Sequence, residues 1–153
     1  MNNVPNKQYG NLSSEDHYTN RRIFQTAKII SELNFEQYNI LDIGGYNGDL
    51  LIALNKYIIK PINYSIVDFD KEGMKIANDR NIKTYFTNLD EEPFNKNIDS
   101  SKKYNIIVST ECFEHLKNPA MHMENVSKVI NKDGYVLPGL PRIKLWEDTT
   151  TEI

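Results

Sequence analysis

Short apolar runs alternate with segments of helical periodicity along most of this 153-residue chain. The runs predict five strands, at 40–43, 64–67, 82–87, 104–109 and from 135 onward. Between them, apolar residues recur three or four positions apart, which is typical of amphipathic helices. These helices are predicted from Ser13 or Ser14 to about Asn34, from 49 to 54, over 70–80 and over 119–130. Strands that alternate with helices predict a parallel sheet, so we expect a Rossmann-like, doubly wound α/β fold with helices on both faces.

Several local signals refine the element boundaries. Asp70 directly precedes a helical run and can cap it, and Asn118 with Pro119 is typical of the start of the next helix. The apolar face of that helix is predicted from residues at helical spacing, namely Met123, Val126, Val129 and Ile130. Residues 132–134, Lys-Asp-Gly, predict a turn before strand five. Arg21 and Arg22 are expected to form a solvated pair on the polar face of the first helix.

A glycine-rich turn joins the first buried strand to the next helix over residues 39–49, Asn-Ile-Leu-Asp-Ile-Gly-Gly-Tyr-Asn-Gly-Asp. Glycines let the backbone turn sharply and approach a ligand closely. The helix that follows offers unpaired N–H groups at its start. A carboxylate at Asp42 would repel a pyrophosphate beside it. The acid therefore favours a ligand that carries an ammonium group or hydroxyls.

This segment resembles motif I of the class I S-adenosylmethionine-dependent methyltransferases, whose pattern is Asp/Glu-x-Gly-x-Gly-x-Gly. Asp42, Gly44 and Gly48 match it, whereas Tyr46 stands at the position of the middle glycine. The resemblance implies S-adenosylmethionine as the cofactor, bound with the help of Asp42, Gly44, Gly45, Tyr46 and Gly48. The side chain of Tyr46 must then point away from the cofactor or reshape its pocket.

The ends of the next two strands carry further candidate cofactor-binding residues. Asp68 ends strand two, where a carboxylate can accept hydrogen bonds from ribose hydroxyls. Phe69 would lie where its ring packs either on adenine or in the core. After strand three, Asn88 and Leu89 resemble the family's Asp-Leu/Ala step at the adenine edge. The side-chain carbonyl of Asn88 can accept from the adenine amino group.

Residues 109–116, Ser-Thr-Glu-Cys-Phe-Glu-His-Leu, follow strand four. They resemble the Glu-x-x-Glu-His-Leu segment of the type 11 methyltransferases, a branch that includes quinone, sugar and other small-molecule methyltransferases. The resemblance implies that Glu111 borders the methionine end of the cofactor. Histidine titrates near neutral pH, so His115 is the candidate general base, the alternative being a histidine that caps or packs locally. His122, beside the apolar face of the next helix, is expected to be structural.

Composition restricts the class of protein. With 39% apolar and 25% charged residues the chain is an ordinary globular protein. The net charge of −3 gives no basic patch, so no DNA partner is expected. The single cysteine, Cys112, excludes an internal disulfide and favours a reducing compartment. No signal-peptide pattern or membrane-length apolar run is evident, so we expect a cytoplasmic protein without membrane insertion. The acids at 90–92 lack the spacing of metal ligands, and no metal is expected.

The resemblance covers about residues 20–140 and sets the domain organisation. We expect a flexible N-terminal arm over 1–12, an S-adenosylmethionine-binding domain over 13–141 and a C-terminal tail over 142–153. The family normally continues with a helix and two more strands, which a tail of this length cannot supply. An uncovered fifth strand would leave an exposed sheet edge. Two alternatives are open: Leu145 and Trp146 fold back over this edge, or the edge pairs with a second copy of the chain, as a homodimer, or with a partner chain.

Three functional hypotheses follow. The first is an S-adenosylmethionine-dependent methyltransferase that acts on a small-molecule acceptor. The second is a catalytically inactive or truncated S-adenosylmethionine-binding module that acts as a partner subunit, which Tyr46 and the short C-terminal region favour. The third is a nicotinamide-dependent oxidoreductase. It shares the strand, glycine turn and helix, but Gly44-x-x-x-Gly48 does not fit Gly-x-Gly-x-x-Gly, and Asp42 opposes a pyrophosphate.

Overall fold

The computed structural model describes residues 18–98, 103–109 and 116–138. Its helices are Tyr18–Glu32 (α1), Asp49–Tyr57 (α2), Lys71–Asp79 (α3) and Pro119–Val129 (α4). Its strands are Tyr38–Ile43 (β1), Ile62–Asp68 (β2), Lys83–Phe86 (β3), Tyr104–Ser109 (β4) and Ile130–Pro138 (β5), and a short 3₁₀ helix spans Phe94–Asn97. The predicted arm, the predicted helix start at Ser13 or Ser14, and the predicted tail with Leu145 and Trp146 lie outside the described residues.

The five strands form one sheet in the order β3-β2-β1-β4-β5, and every neighbouring pair is parallel. The chain therefore runs outward from β1 to β3 and then crosses back to β4 on the other side of β1. This reversal of direction is the switch point at which doubly wound sheets bind ligands, outside the carboxyl ends of the strands. The predicted Rossmann-like fold is confirmed.

The sheet buries a separate apolar cluster on each face because successive strand residues point to opposite sides. Ile40 of β1 packs with Ala27 of α1 and Ala53 of α2. Leu41, the next residue, packs on the other face with Val126 of α4. Helices therefore cover both faces, as predicted.

The predicted apolar face of α4 is wrong at Met123, whose side chain is 44% exposed. The buried positions of this helix are instead His122, Asn125, Val126 and Val129. These four positions are spaced as one helical stripe, and Met123 lies one position off it. Met123 was predicted to be buried because it is hydrophobic. The packing of the helix against the sheet instead buries a histidine and an asparagine.

The predicted turn at residues 132–134 is also corrected, because these residues lie inside β5. Tyr104 of β4 pairs with Ile130, and Ile106 pairs with Tyr135, so β5 takes five steps where β4 takes two. The turn-forming residues therefore lie in an irregular, bulge-like part of the strand near its start. Regular pairing then continues to Pro138, the last described residue of the strand.

Candidate functional site

The glycine turn after β1 is packed too tightly for side chains at two of its positions. A Cβ at Gly45 would lie 2.7 Å from Cγ of Asp42. Gly48 has a φ of 81°, in the left-handed region, and a Cβ there would lie 2.2 Å from Cδ1 of Ile82. The N–H of Gly44 donates to the carbonyl of Val67 on β2 at 2.7 Å. The turn therefore follows the carboxyl ends of β1 and β2 closely.

Tyr46, at the position of the middle glycine, adopts a φ of 53°. The left-handed conformation costs an L-residue about 1–2 kcal/mol, so surrounding contacts must hold it. Its ring lies against Gly73 in the first turn of α3, where an added Cβ would come within 2.3 Å of Cδ2 of Tyr46. Burial and the charges of Asp70 and Glu72 raise the pKa of the Tyr46 phenol. The bulky side chain is thus accommodated against a glycine of the neighbouring helix.

Asp68 ends β2 and is 7% exposed. Its Oδ2 accepts from the N–H of Tyr46 at 2.8 Å. Its Oδ1 accepts from the N–H groups of Phe69 at 2.7 Å and Asp70 at 3.0 Å. A carboxylate offers about four acceptor sites, so these bonds leave capacity for a ligand hydroxyl. Asp68 therefore joins the glycine turn to the start of the next helix.

Asp42 is 4% exposed and forms a hydrogen bond in which the Tyr64 hydroxyl donates to Oδ2. Burial raises the pKa of Asp42 to about 7. The hydrogen bond from Tyr64 opposes this shift, and the charge of Asp68 adds to it. Burial and the nearby Asp42 raise the pKa of Tyr64 well above its ordinary value. Asp42 is therefore divided between its protonated and ionised forms near neutral pH, and a cationic group beside it would favour the ionised form.

A cavity of about 280 Å³ lies between α1 and the glycine turn. The turn and the helix after it contribute Asp42, Gly44, Gly45, Tyr46, Asn47, Asp49 and Leu50, and α1 contributes Arg22, Ile23 and Thr26. The predicted solvated pair is right for Arg21, which is exposed, and wrong for Arg22, which is half-buried and lines the cavity. The signal available in the sequence was spacing, since Arg22 and Thr26 are four residues apart and share one helix face.

Arg80, at the end of α3, braces the glycine turn and was not singled out from the sequence. Its Nη1 donates to the carbonyl of Asn47 at 3.0 Å and pairs with Oδ1 of Asp49 at 2.7 Å. The arginine side chain is only 3% exposed. Nothing local marks this role, because the partners come from a turn some thirty residues earlier.

The remaining cofactor candidates lie at the ends of β2 and β3. Phe69 is 59% exposed, so the alternative of a core contact is wrong and its ring faces outward. Asn88 uses its side-chain oxygen to accept from the N–H of Asp90 at 3.2 Å. Leu89 is 3% exposed and packs into the core. Asp70 caps α3 as predicted, accepting from the N–H of Gly73 at 2.9 Å.

The predicted general base His115 and the predicted cofactor residue Glu111 lie outside the described residues. Their segment begins directly after β4, whose Val108 pairs with Asp42 of β1. The segment therefore starts at the same edge of the sheet as the glycine turn. In the described ranges no group of histidine, cysteine and acidic side chains is arranged to hold a metal ion, and no helix has the length and apolar character needed to cross a membrane.

Comparisons with known proteins agree with this geometry. A family model described as a methyltransferase domain matches residues 16–142. The curated protein sequences contain no match to this chain. Among solved structures, coclaurine N-methyltransferase bound to N-methylheliamine and SAH has a TM-score of 0.62 at 18% identity, over 82% of this chain and 38% of that one.

Two further solved structures show the same similarity. The plantazolicin methyltransferase BpumL in complex with SAH has a TM-score of 0.59 at 26% identity, over 88% of this chain and 52% of that one. The YcgJ protein from Bacillus subtilis has a TM-score of 0.57 at 18% identity, over 74% of this chain and 49% of that one. The chain thus spans about half or less of the length of these proteins.

Proposed function

The chain belongs to the methyltransferase domain family, of the class I S-adenosylmethionine-dependent type, and from this premise we propose that it transfers a methyl group to a small-molecule acceptor. The observation that carries the proposal is the junction of the glycine turn with Asp68, at the switch point of the sheet and beside a cavity. The net charge of −3 favours a small molecule over a nucleic acid as the acceptor.

We assign the adenosine half of the cofactor to the ends of β2 and β3. Asp68 would accept from the ribose hydroxyls, using the acceptor capacity that its three backbone partners leave. The exposed ring of Phe69 would pack on adenine. The backbone of Asn88 and Leu89 would border the adenine edge. The glycine turn would supply close backbone approach at Gly44, Gly45 and Gly48.

We assign the methionine half to the cavity between α1 and the glycine turn. Its ammonium group would lie near Asp42, because a cationic neighbour offsets the cost of ionising this buried carboxyl group. Its carboxylate would pair with Arg22, the guanidinium that lines the opposite wall. Glu111 would border this end of the cofactor. Tyr46 lines this cavity, and its ring packs against Gly73 of α3. It would therefore lie between the cofactor and α3.

S-adenosylmethionine supplies a methyl group already activated on a sulfonium. The chain itself therefore has three tasks, which are to position the acceptor, to exclude water and to accept a proton where the acceptor is a hydroxyl. We propose His115 for the proton, because its segment follows β4 at the edge of the sheet where Asp42 lies.

The first test is calorimetric titration of the purified chain with S-adenosylhomocysteine, with NAD as the control ligand. We expect saturable binding of the first and none of the second. Asp68→Ala should weaken binding by about tenfold or more, the effect of losing charge-assisted hydrogen bonds. Asp79→Ala, at an exposed position of α3, is the matched control and should bind like the original. A folded chain that binds no S-adenosylhomocysteine, or that prefers NAD, would overturn the proposal.

The second candidate function, a cofactor-binding module that serves as a partner subunit, is favoured by the edge of the sheet. In the part of the chain that the structure describes, β5 pairs only with β4, and Tyr135 of this strand is 47% exposed. An open strand edge is a template for pairing with a second copy or another chain. Sedimentation velocity tests this, since a compact monomer would argue against a homodimer. Cofactor binding without turnover over a broad panel of acceptors would favour the module over the enzyme.

A further inference from the structure

His122 of α4 is fully buried, at 0% exposure, and contacts the loop after β3 at two places. Its Nε2 lies 2.7 Å from the carbonyl oxygen of Leu89. Because a carbonyl only accepts, Nε2 carries the proton and donates it to this bond. The imidazole also stacks on Phe94, with ring centroids 6.1 Å apart and planes inclined by 27°. The His122 side chain therefore contacts both the beginning of this loop, at Leu89, and the start of the 3₁₀ helix, at Phe94.

A second contact ties the same loop to the residues before α4. Oδ1 of Asp90 accepts from the backbone N–H of Lys117 at 3.3 Å. The loop is closed on itself by the carbonyl of Asn88, which accepts from the N–H groups of Glu91 at 3.0 Å and Glu92 at 2.8 Å. Hydrogen bonds therefore link the loop after β3 to α4 and to the residues just before it.

Apolar packing alone does not account for a histidine here. The other positions of the buried stripe include Val126 and Val129, which fill the same face with hydrocarbon. A histidine adds a donor, and the buried Leu89 carbonyl needs one because unpaired buried polar groups are costly. An apolar residue at 122 would leave that carbonyl to find another donor, and the backbone of Asn88 and Leu89 would shift.

We propose that His122 is a positioning residue for the adenosine part of the cofactor, acting through the backbone of Asn88 and Leu89. This inference rests on the proposed function, which assigns the adenine edge to those two residues. His122 would not touch the cofactor. It would hold the loop at the place where adenine is bound.

The test compares two ligands, S-adenosylhomocysteine and 5′-methylthioadenosine, which share adenosine but not the amino-acid portion. His122→Phe keeps an aromatic ring against Phe94 and removes the donor. We expect it to weaken the binding of both ligands by about the same factor, roughly tenfold. His122→Gln places an amide N–H near the position of Nε2 and should restore most of the affinity. Val126→Ala, at a position 3% exposed on the same helix, is the control and should lower the melting temperature without changing either affinity.

The outcomes separate this inference from the proposed function. If the original chain binds S-adenosylhomocysteine and folded His122→Phe binds both ligands equally well, the inference is wrong and the proposed function stands. If the original chain binds neither ligand, the proposed function fails and the inference fails with it. If His122→Phe does not fold, His122→Asn replaces it, because the shorter amide does not reach the Leu89 carbonyl. Equal affinities of His122→Asn and His122→Gln would then overturn the inference.

Discussion

The backbone N–H of Tyr46 donates to Oδ2 of Asp68 at 2.8 Å, which fastens the glycine turn to the end of the neighbouring strand. The bond is possible because β1 and β2 are parallel, so that both carboxyl ends lie at one edge of the sheet. Tyr46 has a left-handed backbone at this bond, with a φ of 53°. The residue that departs from the glycine pattern is therefore bonded to the acid proposed for ribose.

Asp68→Asn should lower the free energy of unfolding by about 1–3 kcal/mol, the cost of an impaired buried hydrogen-bond group. An amide has one oxygen where the carboxylate has two. Its NH₂ group would therefore oppose either the N–H of Tyr46 or those of Phe69 and Asp70. Urea denaturation measures the change, with Asp79→Asn as the exposed control. An unchanged denaturation midpoint would contradict the role given to these bonds.

The effect of Gly73→Ala on the free energy of unfolding should change sign with the residue at position 46. In the original chain the new Cβ would meet the ring of Tyr46 at 2.3 Å, and such overpacking costs about 1–3 kcal/mol. In a Tyr46→Gly background the ring is gone, and alanine should stabilise α3 by up to about 1 kcal/mol through its helix propensity. Denaturation of the four proteins completes a double-mutant cycle. If Gly73→Ala has the same effect in both backgrounds, the contact between ring and glycine is not what excludes a side chain.

The stability of the chain should carry a pH-dependent contribution from Asp42. Its pKa is about 7 in the folded chain against an ordinary value of 3.8, so between these values the folded state binds more protons than the unfolded state. The contribution is therefore fully present below pH 3.8 and is lost as the pH rises through 7. Asp42→Asn should remove this decline. Free energies of unfolding measured from pH 4 to 8 for both proteins test it, and parallel profiles would refute the assignment.

Arg22→Met should separate the two halves of the proposed cofactor site. We expect the affinity for S-adenosylhomocysteine to fall by about tenfold, which is typical for the loss of a charge-assisted pair with a carboxylate. The affinity for 5′-methylthioadenosine, which has no carboxylate, should not change. Arg21→Met on the exposed side of the same helix is the control. Equal losses for both ligands would mean that Arg22 acts on the fold of α1 and not on the ligand.

Patterns that depend on near neighbours were predictable from the sequence. The strand at 104–109, the Asp70 cap and the start of α4 at Asn118 and Pro119 agree with the structure, because periodicity and capping involve residues within about one turn of each other. The parallel direction of the strands followed from the alternation of strands and helices. The glycine turn and Asp68 were likewise marked by type and position.

Tertiary structure alone decided which polar side chains are used inside the fold. Arg22 was predicted to be solvated, and it lines the cavity because α1 lies over the glycine turn. Arg80 reaches the turn from the end of α3 and pairs with Asp49. His122, and not the predicted Met123, lies on the buried face of α4, where it donates a hydrogen bond to the Leu89 carbonyl. Arg80 and His122 are buried with partners from distant segments, and neither hydrophobicity nor spacing along the chain identifies such partners.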